Sequence, residues 1–311
     1  MTVDEFIEEI IRVFRRAGIE CPENEAMQLA CHVLSCDKSW LYMHKDDELD
    51  DKVLLASAAL INERCKGKPL QYVVGTADFY GIVLAVDERV LIPRPETEVL
   101  VETALKELKE APSAAACSPG MAEAIKTLGA RTAPRVLDLC TGSGAIAAAV
   151  AENLPNAEVI ATELSPRAFM LARVNLRPWK NVRVLRGDLF DALKELKKDQ
   201  PGGQQAGSLF DAILTNPPYI PTGVIETLAR EVKDHEPLMA LDGGADGLAL
   251  IRRIIAEAPQ HLKQGGLLLM EIGDDQGSQV LALAAESGLY RSASILKDLA
   301  GKDRILRAER I

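Results

Sequence analysis

No run of apolar residues in the chain approaches the roughly 18 that a membrane-spanning helix needs, although 48% of its 311 residues are hydrophobic. No membrane partner is therefore expected. Positive charge is also short, with 36 Lys and Arg against 46 Asp and Glu and a net charge of −10. That balance argues against a protein that grips nucleic acid through its overall charge. Aromatic residues make up only 4%, and no basic, aromatic-interleaved recognition module stands out. Cysteine pairs at metal-ligand spacing are missing. Cys21, Cys31, Cys36, Cys65, Cys117 and Cys140 are scattered with no Cys-x-x-Cys, so no metal site is expected and reduced thiols are the default. His32 and His44 read as ordinary surface or core histidines. The opening Met1-Thr2-Val3-Asp4-Glu5 has no basic stretch leading into an apolar one. It does not read as a signal peptide, and a cytoplasmic location is expected. What remains is composition for a full core, length for two domains, and charge suited to an enzyme acting on a small molecule or a protein. A monomer is expected.

Helical spacing of Phe6, Ile7, Ile10, Ile11 and Phe14 predicts a helix over 4–17 that stops at Gly18. Pro22 opens a second helix to about Ser35, and a third runs from about Asp50 to Cys65. Residues 1–70 are thus expected to form a small helical bundle without catalytic groups of its own, a docking or substrate-recognition module. Residues 71–92 change to hairpin-like composition around Asp78-Phe79-Tyr80-Gly81-Ile82-Val83 and predict a β linker. Residues 93–311 form the remaining domain. Ile92-Pro93-Arg94-Pro95-Glu96 stiffens the approach to a helix ending near Glu110, and holds Arg94 out from the backbone as a candidate active-site wall. The same pattern also fits a plain helix start with acidic residues in its first turn. The segments 111–133 and 199–208 read as surface insertions rich in Ala, Ser, Gly and Pro.

From Arg135 onward the pattern alternates. Strands are expected at 136–140, 159–163, 182–186, 210–215 and 266–272, with helices between them and a closing hairpin formed by 290–295 and 303–308. Such alternation predicts an α/β, doubly wound parallel sheet, in which ligands sit at the C-terminal ends of the strands.

Four strand ends carry candidate chemistry. Thr141-Gly142-Ser143-Gly144 joins the first of these strands to a helix, where glycines allow a tight turn and close ligand approach. Its spacing fits a loose dinucleotide fingerprint, a weak match by itself. Glu163 ends the next strand about twenty residues on, placed to accept both hydroxyls of a ribose. A nicotinamide dinucleotide and S-adenosyl-L-methionine both fit so far. Asp138 favours the second, since it could meet a positively charged amino-acid moiety and would repel a pyrophosphate. Asp188, ending the third strand, could accept from an adenine amino group. The fourth strand runs into Asn216-Pro217-Pro218-Tyr219. Two prolines stiffen that turn. The Asn216 amide and the bare Pro217 carbonyl can take both hydrogens of a planar –NH2 group, while Tyr219 offers a ring face. An amide or an adenine would satisfy this set. No hydride-acceptor pocket is evident, which weakens a nicotinamide-dependent oxidoreductase, and the intact Asn216 and Tyr219 weaken a non-catalytic cofactor-binding module.

These residues carry a resemblance. Asp138-Leu139-Cys140-Thr141-Gly142-Ser143-Gly144-Ala145-Ile146 with Asn216-Pro217-Pro218-Tyr219-Ile220 resembles the amino-methyltransferases that use S-adenosylmethionine. Leu91–Glu98, Glu236–Leu248 and Glu271-Ile272-Gly273 narrow the resemblance to the peptide chain release factor glutamine methyltransferases of the PrmC/HemK type. That family implies a Rossmann-like S-adenosylmethionine-dependent methyltransferase sheet behind a helical N-terminal domain. It also implies N5-methylation of the glutamine in the Gly-Gly-Gln motif of a class 1 release factor. By the same resemblance Cys140, Thr141, Gly142, Ser143 and Gly144 would line the methionine and ribose, and Glu163 would hold the ribose. Asp188 and Leu189 would flank the adenine. Asn216 and the Pro217 carbonyl would hold the glutamine amide in a slot shaped by Pro218 and Tyr219. Cys140 stands where many members have glycine. An adenine-N6 nucleic-acid methyltransferase is the alternative within the class. Gly202-Gly203-Gln204 repeats the family's target tripeptide inside the chain's own insertion; a polar Gly/Gln-rich loop is the expected reading, and self-methylation or self-inhibition there is a hypothesis only.

Overall fold

The computed structural model describes residues 1–110, 133–198 and 209–311. The expected insertions, Gly202-Gly203-Gln204 among them, lie outside the described residues, apart from Ala133. The described chain separates into two compact units.

The first unit is Met1–Thr76 with Val86–Glu88 and Leu228–Glu236. Its first helix, Val3–Arg16, buries Val3, Phe6, Ile10 and Phe14, one stripe at helical spacing, and starts with a capping box between Thr2 and Glu5. Helices Pro22–Leu34 and Asp51–Cys65 pack around the same core with Ala26, Leu29 and Ala30. Two further helices, Lys38–Met43 and Leu70–Val74, add Leu41 and Leu70. Both are too short to show a period in sequence, and the first is set by Asp37, whose carboxylate accepts the Trp40 N–H at 2.7 Å. The distant segment Leu228–Glu236 joins this unit through an ion pair. Arg64, 2% exposed, is held by Glu25 at 2.9 Å and by Glu231 at 2.6 Å.

The second unit carries the sheet. A hairpin of β1 (Thr76–Phe79) and β2 (Ile82–Ala85) precedes it. Residues Ala77–Ala85 count with this unit, and Phe79 and Leu84 are buried in its core. The strands that follow are β3 (Arg135–Leu139), β4 (Glu158–Glu163), β5 (Val182–Arg186), β6 (Phe210–Thr215), β7 (Leu262–Glu271), β8 (Tyr290–Lys297) and β9 (Asp303–Arg310). They lie in the order β5-β4-β3-β6-β7-β9-β8. The strands β3 to β7 are parallel to their neighbours, and β9 runs antiparallel beside β7 with β8 outside it. This is the expected doubly wound α/β sheet with its closing hairpin.

Both sheet faces are covered, which is why the strands read as near-continuous apolar runs. Alternate residues go to opposite cores. Val136, Ala212, Leu214 and Leu269 pack on one side with the helices Pro95–Glu110 and Ala145–Asn153, and Leu137, Ile213, Leu268 and Met270 pack on the other with Ala249–Glu257. The chain winds outward from β3 to β4 and β5, then crosses to β6 on the other side of β3. The C-terminal ends of β3 and β6 therefore flank the point where the winding reverses, the place where open α/β sheets hold ligands.

Candidate active site

At the end of β3 the backbone turns within four residues. Cys140 has φ +57°, a left-handed conformation that favours glycine. Thr141 N–H then donates to the Thr162 carbonyl at 3.0 Å, and Gly144 N–H to the Thr141 carbonyl at 2.8 Å. Gly144, at φ +89°, packs so tightly that a Cβ would lie 2.9 Å from the Leu176 side chain. Asn175 braces the turn from behind. Its amide donates to the Ser143 carbonyl at 2.8 Å while exchanging two hydrogen bonds with the Ala85 backbone.

Two buried carboxylates face this turn. Glu163 accepts Gly142 N–H at 2.9 Å and Ser165 N–H at 2.8 Å, and burial raises its pKa against those bonds. Asp138 is fully buried. One of its oxygens accepts the Thr141 hydroxyl at 2.5 Å and the Ala147 N–H at 3.1 Å. The other, Oδ1, has no partner. Burial pushes the Asp138 carboxyl up to about 7. A buried acceptor left open beside a glycine turn suits a cationic group such as the amino-acid moiety of S-adenosylmethionine. The residues present fit that cofactor. The Cys140 thiol is pushed up by burial and then by Glu163 and Asp138, so it stays protonated and is no nucleophile.

Asp188 and Leu189 follow β5. Leu189 is buried and at φ +44°. The Asp188 carboxylate is engaged by Arg253, at 2.9 and 3.3 Å.

At the end of β6, Thr215 sits in register with Leu139 and its hydroxyl donates to the Leu139 carbonyl at 2.9 Å. That bond fixes the Asn216 turn next to the glycine turn. Pro217 and Pro218 are buried, and Asn216 and Tyr219 are half-buried. The turn is held from two sides. Gln276 donates to the Tyr219 carbonyl at 2.9 Å while its own oxygen accepts Gly273 N–H at 2.9 Å. Ile220 exchanges backbone hydrogen bonds with Leu241 and Gly243.

Sequence reasoning gave no individual role to Thr97 or Glu271, which the structure brings to this turn. Asn216 Nδ2 donates to Thr97 Oγ1 at 3.2 Å, and Thr97 donates on to Glu271 Oε2 at 2.6 Å. The Tyr219 hydroxyl donates to Glu271 Oε1 at 3.1 Å. Burial raises the pKa of both Tyr219 and Glu271. Arg94 is half-buried and its charge acts on the Tyr219 phenol, favouring its ionised form. No cluster of metal-ligating side chains occurs among the described residues.

Residues 5–75 match the family model of the PrmC N-terminal domain, and residues 111–232 match that of the methyltransferase small domain. The release factor glutamine methyltransferase of Thermodesulfovibrio yellowstonii is 39% identical over 91% of this chain and 90% of its own length. That of Geobacter sulfurreducens is 39% identical over 93% and 90%. That of Rhodopirellula baltica is 35% identical over 99% and 96%.

Proposed function

The chain belongs to the release factor glutamine methyltransferase family, and from that premise we propose how its residues divide the work. It is a protein-glutamine N5-methyltransferase that uses S-adenosyl-L-methionine, and its substrate is a release factor. The glutamine in question we take to be that of the Gly-Gly-Gln motif of a class 1 release factor. Bound S-adenosyl-L-methionine supplies an electrophilic methyl group on a positively charged sulfur. The turn Cys140–Gly144, with Asp138 and Glu163, holds the amino-acid and ribose portions, and Leu189 with Asp188 lies on the adenine side.

An amide nitrogen is a weak nucleophile because its lone pair is delocalised into the carbonyl. Position therefore matters more than a general base, since the proton can leave to solvent once the nitrogen has acquired its fourth bond. Asn216 Oδ1 and the Pro217 carbonyl accept the two amide hydrogens and so aim the lone pair. Fixing the reacting groups in this way can be equivalent to effective molarities of about 10⁵ M or more. Pro218 and Tyr219 shape the slot around the amide, and Arg94 stands at its wall.

One observation carries this reading: the hydrogen bond from Thr215 to the Leu139 carbonyl. It sets the turn after β6 beside the glycine turn after β3 on adjacent strands, which supports assigning the amide to one and the cofactor to the other. We place the enzyme in the cytoplasm, where its substrate works, acting as a monomer without direct nucleic-acid contact. No helix among the described residues is long and apolar enough to cross a membrane. The test is mass spectrometry of a release factor incubated with the protein and S-adenosyl-L-methionine. One added methyl on the Gly-Gly-Gln glutamine side chain is expected. Transfer to adenine in DNA or RNA instead would overturn the substrate assignment.

A further inference from the structure

We propose that Thr97 and Glu271 are positioning residues that set the direction of the hydrogen-bond chain through the Asn216 amide, so that its carbonyl oxygen faces the glutamine. The inference deepens the role of Asn216 given above and rests on it.

A side-chain amide is nearly symmetric in shape but opposite in chemistry at its two ends. Turned one way, Asn216 offers the substrate an acceptor. Turned the other way, it offers two N–H donors to a substrate group that itself carries two N–H bonds, and grip becomes repulsion. Shape alone does not choose between them.

The choice is made at the far end of the chain. Glu271 is 1% exposed, and its two oxygens face the Thr97 and Tyr219 hydroxyls. Burial raises its pKa, but the Thr97 and Tyr219 hydroxyls and the Arg304 charge favour the ionised form, and in that form it can only accept. Thr97 has a single hydroxyl hydrogen and commits it to Glu271 at 2.6 Å. Its oxygen is then an acceptor only, and the group 3.2 Å away must be a donor, the Nδ2 end of Asn216. By elimination Oδ1 is the end left for the substrate. The same carboxylate holds the Tyr219 ring by its hydroxyl, so one buried charge fixes two sides of the slot. Four residues on three separate elements take part: the helix Pro95–Glu110, the turn after β6, and the end of β7.

The experiment compares Thr97→Val with Thr97→Ser in the full chain. Valine keeps the shape and removes the hydroxyl. Serine keeps the hydroxyl and leaves a methyl-sized gap. A directing role predicts that Thr97→Val loses about 10²-fold in kcat, the scale on which misplaced reacting groups act, with unchanged affinity for S-adenosyl-L-methionine by calorimetry. Thr97→Ser is then expected to stay near wild type. A packing role predicts the reverse order, and valine at wild-type turnover overturns the proposal. A second readout is independent of activity. In ¹⁵N-labelled protein the Asn216 side-chain N–H facing Thr97 exchanges slowly in wild type and Thr97→Ser, and fast in Thr97→Val. Equal exchange in all three overturns the relay, even if the wild type were found to methylate some group other than glutamine. An inactive wild type with that exchange pattern would fault the substrate assignment and leave the relay standing.

Discussion

Replacing Asp138 by asparagine is expected to change how the stability of the ligand-free protein depends on pH. The carboxyl is fully buried with one oxygen unpartnered, and burial lifts it from an ordinary value of 3.8 to about 7. A pKa raised on folding means that the folded state holds a proton the unfolded state has released. The stabilisation is complete below the unfolded value and is lost as pH rises through the folded one. One unit is worth about 1.4 kcal/mol, so a shift from 3.8 to about 7 corresponds to roughly 4 kcal/mol lost between about pH 4 and pH 7. Glu163 and Glu271 are raised by burial too, so the wild-type curve alone mixes several groups. The difference between wild type and Asp138→Asn isolates one. Asparagine adds a buried donor whose cost does not vary with pH. Urea denaturation of both proteins from pH 5 to pH 8 should therefore show the wild type losing about 2–3 kcal/mol relative to the variant, levelling off above pH 7. Parallel curves would refute a protonated Asp138. If the open oxygen meets the ammonium of S-adenosyl-L-methionine, wild-type affinity for it should also rise through pH 7, and that of Asp138→Asn should not.

Other substitutions separate the two halves of the site. Asn216→Ala is expected to lower kcat on the release factor by about 10²-fold or more with little change in cofactor affinity by calorimetry, and collapse of that affinity with turnover intact would contradict the assigned role. Glu163→Gln should do the opposite: it replaces an oxygen that accepts a backbone N–H from Gly142 or Ser165 by a donor. A loss of about 1–3 kcal/mol in cofactor binding follows, with kcat at saturation nearly retained. Gly247→Ala would place a Cβ 2.3 Å from the Tyr219 carbonyl at a residue with φ +74°. The strain is worth about 1–3 kcal/mol and should be visible both as a lower Tm and as lost turnover, while unchanged turnover would show that the Tyr219 turn yields without consequence.

Much of this was legible because the chemistry of the fold is local. A parallel strand buried on both faces shows as a short apolar run, as in Val136–Leu139 and Phe210–Thr215, and Gly142 or Pro217 marks where it ends. The candidate groups at those ends stand out for the same reason. What was not legible depends on partners far apart in the chain. Asp188 reads in sequence as an acceptor at a strand end, and nothing local shows that Arg253, 65 residues later, donates to both its oxygens. Leu228–Glu236 reads as part of the catalytic domain, yet Glu231 is tied to Arg64 across 167 residues. The relay spans 119 residues from Asn216 to Thr97 and 174 from Thr97 to Glu271. No window of sequence contains it. Nor does residue type settle it, because asparagine at 216 is compatible with either orientation of its amide. Identity at that position names the grip, and only the buried carboxylate two hydrogen bonds away decides which end of the amide does the gripping.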